Sequence, residues 1–407
     1  MELRPILSSL GRHKMTALLV VVEIALTCAI VCNAVFLIAN RLDRLHLVSG
    51  IAEHELVFVE VAGIGKDANG AARTVEDLAA LRAIPGVKSV TVTNQIPFSN
   101  SSWNSGLRLD PKQKDSTLSA TTYFAGADFV QALGLQIVVG RDFKPDEYVD
   151  FKTVADPDFK GDAHVALITR AMGKRLWPGE SAIGKQFYIG KQPTTVVGVL
   201  AHLARPNDQG GDEAREYSVV DPFEFPYDMG GRYILRTTPV DRGRVLKAAV
   251  AALKANGPGR IVLKNQTYDE IRADYFRSDR SMAGLLVGVI VALLLVTGLG
   301  IVGLGSFWVA QRRRQIGVRR ALGATRANIL HYFQTENFVL ATIGIVLGMA
   351  LAYGINLFLM QRYELPRLPW AYLPIGAVAL WLIGQLAVLG PALRAAAVPP
   401  VVATRSV

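Results

Sequence analysis

The feature that most constrains this chain is a set of four long apolar runs. Residues 282–310, 337–360 and 368–393 carry no charged side chain, and residues 16–40 carry one, Glu23. A helix needs about 20 mostly apolar residues to cross the hydrocarbon core of a bilayer, where its backbone polar groups must be satisfied within the segment. Helices of a soluble core usually keep a polar stripe that faces water, which these runs lack. The sequence therefore predicts four transmembrane helices.

Basic residues indicate on which side of the membrane each loop lies. They crowd three segments beside the apolar runs, whose only acid is Glu2. These residues are Arg4, Arg12, Lys14, Arg312, Arg313, Arg314, Arg319, Arg320, Arg326, Arg394 and Arg405. Such an excess marks the cytoplasmic side of a span. We expect a multi-pass protein of the bacterial inner membrane with both termini in the cytoplasm and a large periplasmic domain. The formal net charge of +10 follows from these flanks and gives no reason to expect a nucleic-acid partner.

The predicted organisation follows the alternation of apolar runs and loops. Leu3, Ile6, Leu7 and Leu10 recur at helical spacing, which is typical of an amphipathic helix in contact with membrane lipid. The predicted segments are 1–15 as this cytoplasmic interfacial helix, 16–40 as the first span, 41–281 as the periplasmic domain, 282–310 as the second span, 311–335 as a cytoplasmic loop, 336–360 as the third span, 368–391 as the fourth span and 392–407 as a cytoplasmic tail.

The region 41–281 is predicted to be an α+β domain with a stalk helix at each end. Residues 55–61 alternate polar and apolar side chains as a strand does, and residues 73–84 form a helical pattern that ends at Pro85. The region contains no cysteine, so a hydrophobic core has to hold it together. Residues 268–280 contain neither Pro nor Gly and lead directly into the second span. We expect one continuous helix there, acting as a rigid rod.

Two features inside the spans are candidates for function. Glu23 is an intramembrane charge, which costs at least ~2.5 kcal/mol near the bilayer centre. It could contact a partner or a substrate path, or it could reach the interface and pair with a cytoplasmic arginine; its shallow depth favours the latter. Gly344, Gly348 and Ala352 form a row of small residues that lets helices approach closely. This row is expected to pack spans together, with a dimer interface as the alternative.

The loop 311–335 is the most informative segment. Small residues alternate there with arginines, and apolar residues recur at helical spacing, which a plain solvated basic loop would not need. The interpretation is a helix that lies against another protein, with Ile316, Arg320, Gly323 and Ala324 on one side and Ala321, Thr325 and Asn328 on another. The candidate docking residues are Arg313, Arg314, Gln315, Ile316, Gly317, Arg319, Arg320, Ala321, Gly323, Ala324, Thr325 and Asn328.

This segment resembles the Arg-Arg-x-Glu-Ile-Gly-x-x-Arg-Ala-x-Gly-Ala motif of the FtsX-like permeases, a family that includes the MacB-type exporters. Gln315 replaces the usual acidic residue. Other similar blocks follow in the family's order: Ile-Pro-Gly-Val at 84–87, Gly-Arg-Asp-Phe at 140–143, Pro-Gly-Glu at 178–180 and Pro-Ala-Leu-Arg at 391–394. Together they cover nearly the whole chain.

The resemblance implies a membrane α-helical protein with four transmembrane helices plus an α+β periplasmic domain, the type VII ABC permease architecture. It implies a dimer with a second copy or a homologous permease. The segment 311–335 would be the coupling helix that docks on a cytoplasmic ABC ATPase. Since the sequence starts at the membrane, we expect ATP and Mg²⁺ to be bound by a separate ATPase chain and no cofactor in this one. A periplasmic adaptor and an outer-membrane channel are implied for the exporter branch.

Several functions remain open from the sequence. Efflux of a peptide, antibiotic or lipid-like substrate by mechanotransmission is the leading hypothesis. A lipoprotein-extraction permease and a signalling scaffold that controls a periplasmic partner share the same architecture. An enzyme is disfavoured, because His54, His164 and His202 are scattered and no cluster with cysteines or carboxylates suggests a catalytic or metal site.

Overall fold

The computed structural model describes residues 14–63, 70–154, 164–190, 192–208, 211–224, 231–257, 259–363 and 367–397. The chain divides into two compact units, one of Met1–His46 with Ser278–Val407 and one of Leu47–Arg277. We call them the membrane unit and the outer unit. The predicted interfacial helix 1–15 lies outside the described residues except for Lys14 and Met15, which begin the first long helix.

Helices occur in both units, whereas the strands of the described residues all lie in the outer unit. The helices are α1 Lys14–Leu45, α2 Gly70–Arg82, α3 Phe129–Leu133, α4 Phe151–Val154, α5 Arg170–Leu176, α6 Gly211–Ala214, α7 Arg242–Asn256, α8 Tyr268–Tyr275, α9 Arg277–Gln311, α10 Arg313–Ala321, α11 Arg326–Tyr363 and α12 Leu373–Ala396. The strands are β1 Leu56–Gly63, β2 Ser89–Val92, β3 Asn104–Arg108, β4 Leu118–Phe124, β5 Ile137–Gly140, β6 Val149–Asp150, β7 His164–Thr169, β8 Gln186–Ile189, β9 Gln192–Leu200, β10 Ser218–Asp221, β11 Phe223–Glu224, β12 Gly231–Arg236 and β13 Arg260–Thr267.

The membrane unit contains four helices that are long and apolar enough to cross a membrane. They are Lys14–Leu45, Arg277–Gln311, Arg326–Phe358 and Trp370–Ala396. The first two contain the predicted spans 16–40 and 282–310 and extend beyond them, because the charged flanks continue the helix, whereas the last two overlap most of the predicted spans 336–360 and 368–391. Apolar side chains on the outside of α9, such as Leu295 and Leu299, are exposed on the surface of the unit. Contact with membrane lipid explains why such side chains lie on the surface.

Helix α1 packs against the other three long helices. Its buried residues Ile24, Cys28 and Cys32 join one cluster with Ile345 of α11 and Leu380 of α12. Both cysteines are fully buried and free of disulfides. They serve as small packing residues, as expected from their position in the apolar run.

The outer unit is built on two main sheets. A four-stranded antiparallel sheet has the order β13-β1-β12-β2, and α2 and α7 cover one of its faces through a buried apolar cluster. A seven-stranded sheet has the order β5-β9-β7-β10-β4-β3-β8, and β8 also pairs with β9. Six of its strands therefore close into a ring. The predicted α+β class is correct, whereas the sequence missed β3, because Asn-Ser-Gly-Leu-Arg has a single apolar side chain, the buried Leu107, and no alternating pattern.

The predicted continuous rod over 268–280 is wrong. Helix α8 ends at Tyr275, Phe276 takes a non-helical conformation (φ −90°, ψ 9°), and α9 begins at Arg277. The Phe276 side chain is fully buried and packs edge-on against the ring of Phe98, 5.2 Å away. Tertiary packing of this one ring breaks a helix that local sequence alone would continue.

The ends of α1 and α9 are clamped together inside the membrane unit. Arg41 Nη1 lies 2.6 Å from Asp279 Oδ1, and Arg44 Nε lies 3.4 Å from Asp279 Oδ2. Asp279 is buried. A buried carboxylate held by two arginines fixes α1 against the start of α9.

Candidate functional site

The loop between α9 and α11 forms a sharp helical corner. Short helix α10 follows α9 almost directly, and four residues, Leu322 to Thr325, separate it from α11. The expectation that one helix carries the residues from Ile316 to Asn328 is therefore wrong. Gly323 and Ala324 do not continue the face of Ile316, and Thr325 and Asn328 do not continue that of Ala321.

Helix α10 ends in a Schellman motif. The N–H of Gly323 donates to the carbonyl of Arg320 (3.2 Å), and the N–H of Ala324 donates to the carbonyl of Arg319 (3.0 Å). Gly323 has φ +99°, a left-handed conformation that glycine adopts without steric cost. Gly323 thus stops the helix and turns the chain.

Helix α11 begins at a threonine cap. The N–H of Asn328 donates to Thr325 Oγ1 at 3.2 Å, which satisfies one of the free donors at the helix start. The Gly-Ala-Thr sequence is thus a stop signal followed by a start signal. These residues shape the corner. The sequence analysis named Gly323, Ala324 and Thr325 as docking residues and did not recognise this structural role.

Two sets of contacts anchor the corner to the long helices. Ile316 and Gly317 are buried, and Ile316 joins an apolar cluster with Ile329 and Phe333 of α11 and the alanines near the end of α12. Arg312 Nη1 donates to both carboxylate oxygens of Glu336, at 3.0 and 2.9 Å, and both side chains are buried. Sequence reasoning missed this pair, because its members lie 24 residues apart and Arg312 cannot be distinguished by sequence from the other arginines of the same basic segment.

The outward side of the corner combines exposed cations with exposed apolar side chains. Leu322 is 83% exposed and Val318 is 46% exposed, and no Asp or Glu occurs between residues 312 and 335. We call this side the corner surface. It consists of Arg313, Arg314, Gln315, Val318, Arg319, Ala321, Leu322, Gly323, Thr325 and Asn328, while Arg320 and Ala324 are half-buried beside it. The candidate docking residues from the sequence did not include Leu322 or Val318, since a helical pattern does not reveal which apolar residues face outward.

Another helix of the same chain packs against the row of small residues in α11. A Cβ on Gly344 would lie 2.9 Å from Ile24 Cβ, and one on Gly348 would lie 2.5 Å from Cys28 Cβ. Ala352 is fully buried in the same cluster. Helix α1 occupies this face, so the alternative of a dimer interface there is wrong for this subunit.

Glu23 lies against α9 inside the apolar part of the membrane unit. A Cβ on Gly300 would lie 2.5 Å from its Oε1, so the carboxylate rests where this glycine leaves room. Among the described residues no cation lies within 4 Å of it. The expected pairing with a cytoplasmic arginine is therefore not formed by any residue in that part of the chain.

The chain matches two family models. Residues 287–400 match the FtsX-like permease C-terminal model, and residues 24–255, more than half of the chain, match the MacB-like periplasmic core domain. The chain belongs to the MacB-like family of FtsX-like permeases. It is thus an ABC transporter permease, a membrane protein whose outer unit lies largely within the match to the MacB-like periplasmic core domain. The corner surface lies within its FtsX-like part.

The relatives of this permease include proteins named as combined ATP-binding and permease chains and a protein named as a permease alone. It is 25% identical over 82% of its length to the uncharacterized ABC transporter permease YknZ of Bacillus subtilis, of which it covers 79%. It is 26% identical over 60% of its length to the macrolide export ATP-binding/permease protein MacB of Chromobacterium violaceum, of which it covers 36%. The chain thus spans only about a third of the length of that relative. It is also 26% identical, over 87% of its own length, to the macrolide export ATP-binding/permease protein MacB of a Shewanella species, of which it covers 52%.

Two solved structures are similar to part of this chain. The extracellular domain of YknZ covers 51% of this chain at 18% identity with a TM-score of 0.33, and the alignment takes in all of that domain. The periplasmic region of MacB from Actinobacillus actinomycetemcomitans covers 57% at 18% identity with a TM-score of 0.35, for 97% of that region. Among the described residues of this permease, no group of three or more His, Cys, Asp or Glu side chains could hold a metal ion.

Proposed function

We propose that this permease couples ATP hydrolysis by a separate cytoplasmic ABC ATPase, which binds ATP and Mg²⁺, to a conformational change of its periplasmic domain. That movement would drive efflux of a peptide, antibiotic or lipid-like substrate. The observation that carries the proposal is the corner surface. It presents an exposed leucine among arginines on a turn that is rigidly anchored to the membrane helices.

The composition of the corner surface supports docking on a protein. Exposed large apolar side chains ringed by one sign of charge are typical of interaction sites. Leu322 is suited to fill an apolar pocket, and the exposed Arg313, Arg314 and Arg319 of α10 supply donors for carboxylates on the partner's rim.

The anchoring of the corner supports force transmission. A push on the corner surface reaches α11 through the Arg312–Glu336 pair and α12 through the Ile316 cluster. At the far end, Asp279 clamps α9 to α1, so the two helices that connect to the outer unit move together. Since α9 has 35 residues, it can carry a displacement over about 50 Å.

The remaining parts of the proposal concern topology and assembly. We place the permease in the bacterial inner membrane, with both termini and the corner surface in the cytoplasm and the outer unit in the periplasm. It would work as a dimer with a second copy or a homologous permease, in contact with membrane lipid. In an exporter, a periplasmic adaptor and an outer-membrane channel would complete the path.

The docking step is tested by replacing Leu322 with aspartate. The ATP-hydrolysing subunit that co-purifies with tagged permease from its native membranes is quantified by mass spectrometry. Leu322→Asp should release this subunit, because it places an acid at the centre of the contact. Val240→Asp, at a position in the outer unit that is 94% exposed, should retain it. Wild-type recovery of the ATPase with Leu322→Asp in intact membranes would overturn the proposal.

A further inference from the structure

The outer unit contains a cleft that the coupling mechanism does not use. Its volume is about 770 Å³, within the range of ligand-binding sites in proteins. The floor is the face of the four-stranded sheet that α2 and α7 leave uncovered, where β1 and β12 contribute Phe58, Glu60 and Arg232. The loop of residues 94–103 and helix α8 form the walls. All of these residues belong to the outer unit.

A row of three charged side chains crosses this floor from strand to strand. The register places Glu60 of β1 opposite Arg232 of β12 and opposite Lys264 of β13. Directly opposed residues of a sheet project from the same face, so these three side chains are neighbours. Arg232 Nε donates to Glu60 Oε1 at 2.9 Å, and Arg232 Nη1 donates to the carbonyl of Asn94. One carboxylate therefore lies between two cations.

The charged row leaves one positive charge uncompensated. Of the described residues that line the cleft, Asp274 of α8 is the only charged one outside the row. Asp274 is already satisfied, because it accepts from Gln266 Nε2 at 3.0 Å and pairs with Arg277. Lys264 is exposed, and its ammonium group shares the single carboxylate of Glu60 with a guanidinium that is already bonded to it. The lining therefore attracts one anionic group.

Beside the charged row the lining is apolar. Alternate residues of a strand lie about 7 Å apart on the same face, so Phe58 lies one row away from Glu60. The walls add Phe98, Ile271 and Tyr275 to this apolar surface, and the rings of Phe98 and Tyr275 pack with centroids 5.2 Å apart. A ligand that complements the cleft thus needs an apolar body with an anionic group about 7 Å from it.

The loop wall of the cleft is held in place by contacts within the outer unit. Tyr268 Oη donates to the carbonyl of Pro97 at 3.1 Å, and Gln95 Oε1 accepts from the N–H of Trp103 at 2.7 Å. Phe98 has a positive φ of 58°, a conformation that persists in a non-glycine residue only where its surroundings fix it. A wall fixed in this way needs little ordering on binding, which lowers the free-energy cost of taking up a ligand.

We propose that this cleft binds a small amphipathic organic anion, whose acidic group meets Lys264 and Arg232 and whose apolar body lies against Phe58 and Phe98. The apolar contact gives most of the affinity, and the charged row selects against neutral and cationic ligands. As the site of a transported substrate, the cleft rests on the proposed efflux function. The binding itself does not, and it is measured on the permease alone, so a failure of ATPase docking would leave the test unaffected.

The test uses the full-length permease in phosphatidylcholine nanodiscs and three probes that share the fluorescent dansyl group. Dansylglycine is anionic, dansylglycinamide is neutral and N-(2-aminoethyl)dansylamide is cationic. Fluorescence titrations, corrected for empty nanodiscs, give the dissociation constant of each probe. Dansylglycine should bind about fivefold more tightly than the neutral probe, and the cationic probe should bind more weakly than the neutral one. Acetylglycine, a carboxylate without the apolar body, should bind at least about tenfold more weakly than dansylglycine in a displacement titration.

Two substitutions in the charged row should change the binding in opposite directions. Lys264→Gln should abolish the preference for dansylglycine over the neutral probe, because the row then carries no excess charge. Glu60→Gln should increase that preference, because it removes the carboxylate of the row. Lys247→Gln is the matched control: it removes an exposed cation of α7, which covers the other face of the sheet, and should leave the preference unchanged.

The result that would overturn the inference most directly is equal affinity of the wild-type permease for the anionic and neutral probes. An unchanged preference in Lys264→Gln, or a weaker one in Glu60→Gln, would overturn it as well, provided that circular dichroism shows the variant to be folded. So would the failure of the folded wild-type chain to bind any of the probes.

Discussion

At the scale of single residues, the corner depends on the left-handed backbone of Gly323. Apart from Gly323 and its two chain neighbours, no atom of the described residues lies within 4 Å of the position of a Cβ there, so a side chain would meet no clash and only the backbone would be strained. Its φ of +99° lies where an L-residue costs roughly 1–2 kcal/mol. A substitution at this residue therefore isolates the contribution of conformation from that of packing.

Gly323→Ala should lower the free energy of unfolding of the membrane unit by about 1 kcal/mol for this reason. Denaturant titration of the purified chain in detergent measures the change. Gly303→Ala is the matched control, because Gly303 is helical in α9, lacks a positive φ and also faces open space. The control should be neutral or stabilising. An unchanged free energy for Gly323→Ala would contradict the corner geometry.

Asp221 makes the stability of the outer unit depend on pH. Burial raises the pKa of this carboxyl from 3.8 to about 8. Between these values the folded chain holds a proton that the unfolded chain has released, so the contribution to stability falls as the pH rises from about 4 to 8. Asp221→Asn should flatten this dependence, because the amide does not titrate. Pulse proteolysis in urea, scored on fragments of the outer unit, measures it; an unchanged slope in the variant would contradict the assignment.

At the scale of secondary-structure elements, the sequence predicted the elements that have a periodic apolar pattern. It missed the helix ends that depend on contacts with distant parts of the chain. The four apolar helices and the strand β1 carry clear local patterns. The helix break at Phe276 has no local signal, because it depends on packing against Phe98 from a distant loop. The corner did carry a signal: glycine at a helix end and threonine three residues before Asn328 are stop and start residues. The sequence interpretation read these residues as docking residues only, and their docking stays a prediction.

The Arg312–Glu336 pair is the element-scale contact that holds α11 to the corner. Arg312→Ala should destabilise the membrane unit by about 3–5 kcal/mol, because it leaves a buried carboxylate without its cation. The double variant Arg312→Met with Glu336→Leu should recover most of the loss, since it removes both charges at similar volume. Arg313→Ala, at an exposed neighbour, should change stability by less than about 0.5 kcal/mol. Denaturant titration would refute the role of the pair if Arg312→Ala matched Arg313→Ala.

At the scale of the whole molecule, the permease joins an anchored corner, a long helix and an outer unit with its own core. The family match establishes the permease architecture. The direction of coupling depends on which protein touches the corner surface. In the proposed coupling, the 35-residue α9 and the clamp at Asp279 carry movement from that surface.

Photo-cross-linking in living cells can identify the protein that touches the corner surface. A benzophenone amino acid replaces Leu322 in one strain and Val240 in another, and the products are identified by mass spectrometry after irradiation. We predict that position 322 captures an ATP-hydrolysing subunit and that position 240 does not. Capture of that subunit from position 240, or its absence from the products of position 322, would contradict coupling through the corner surface.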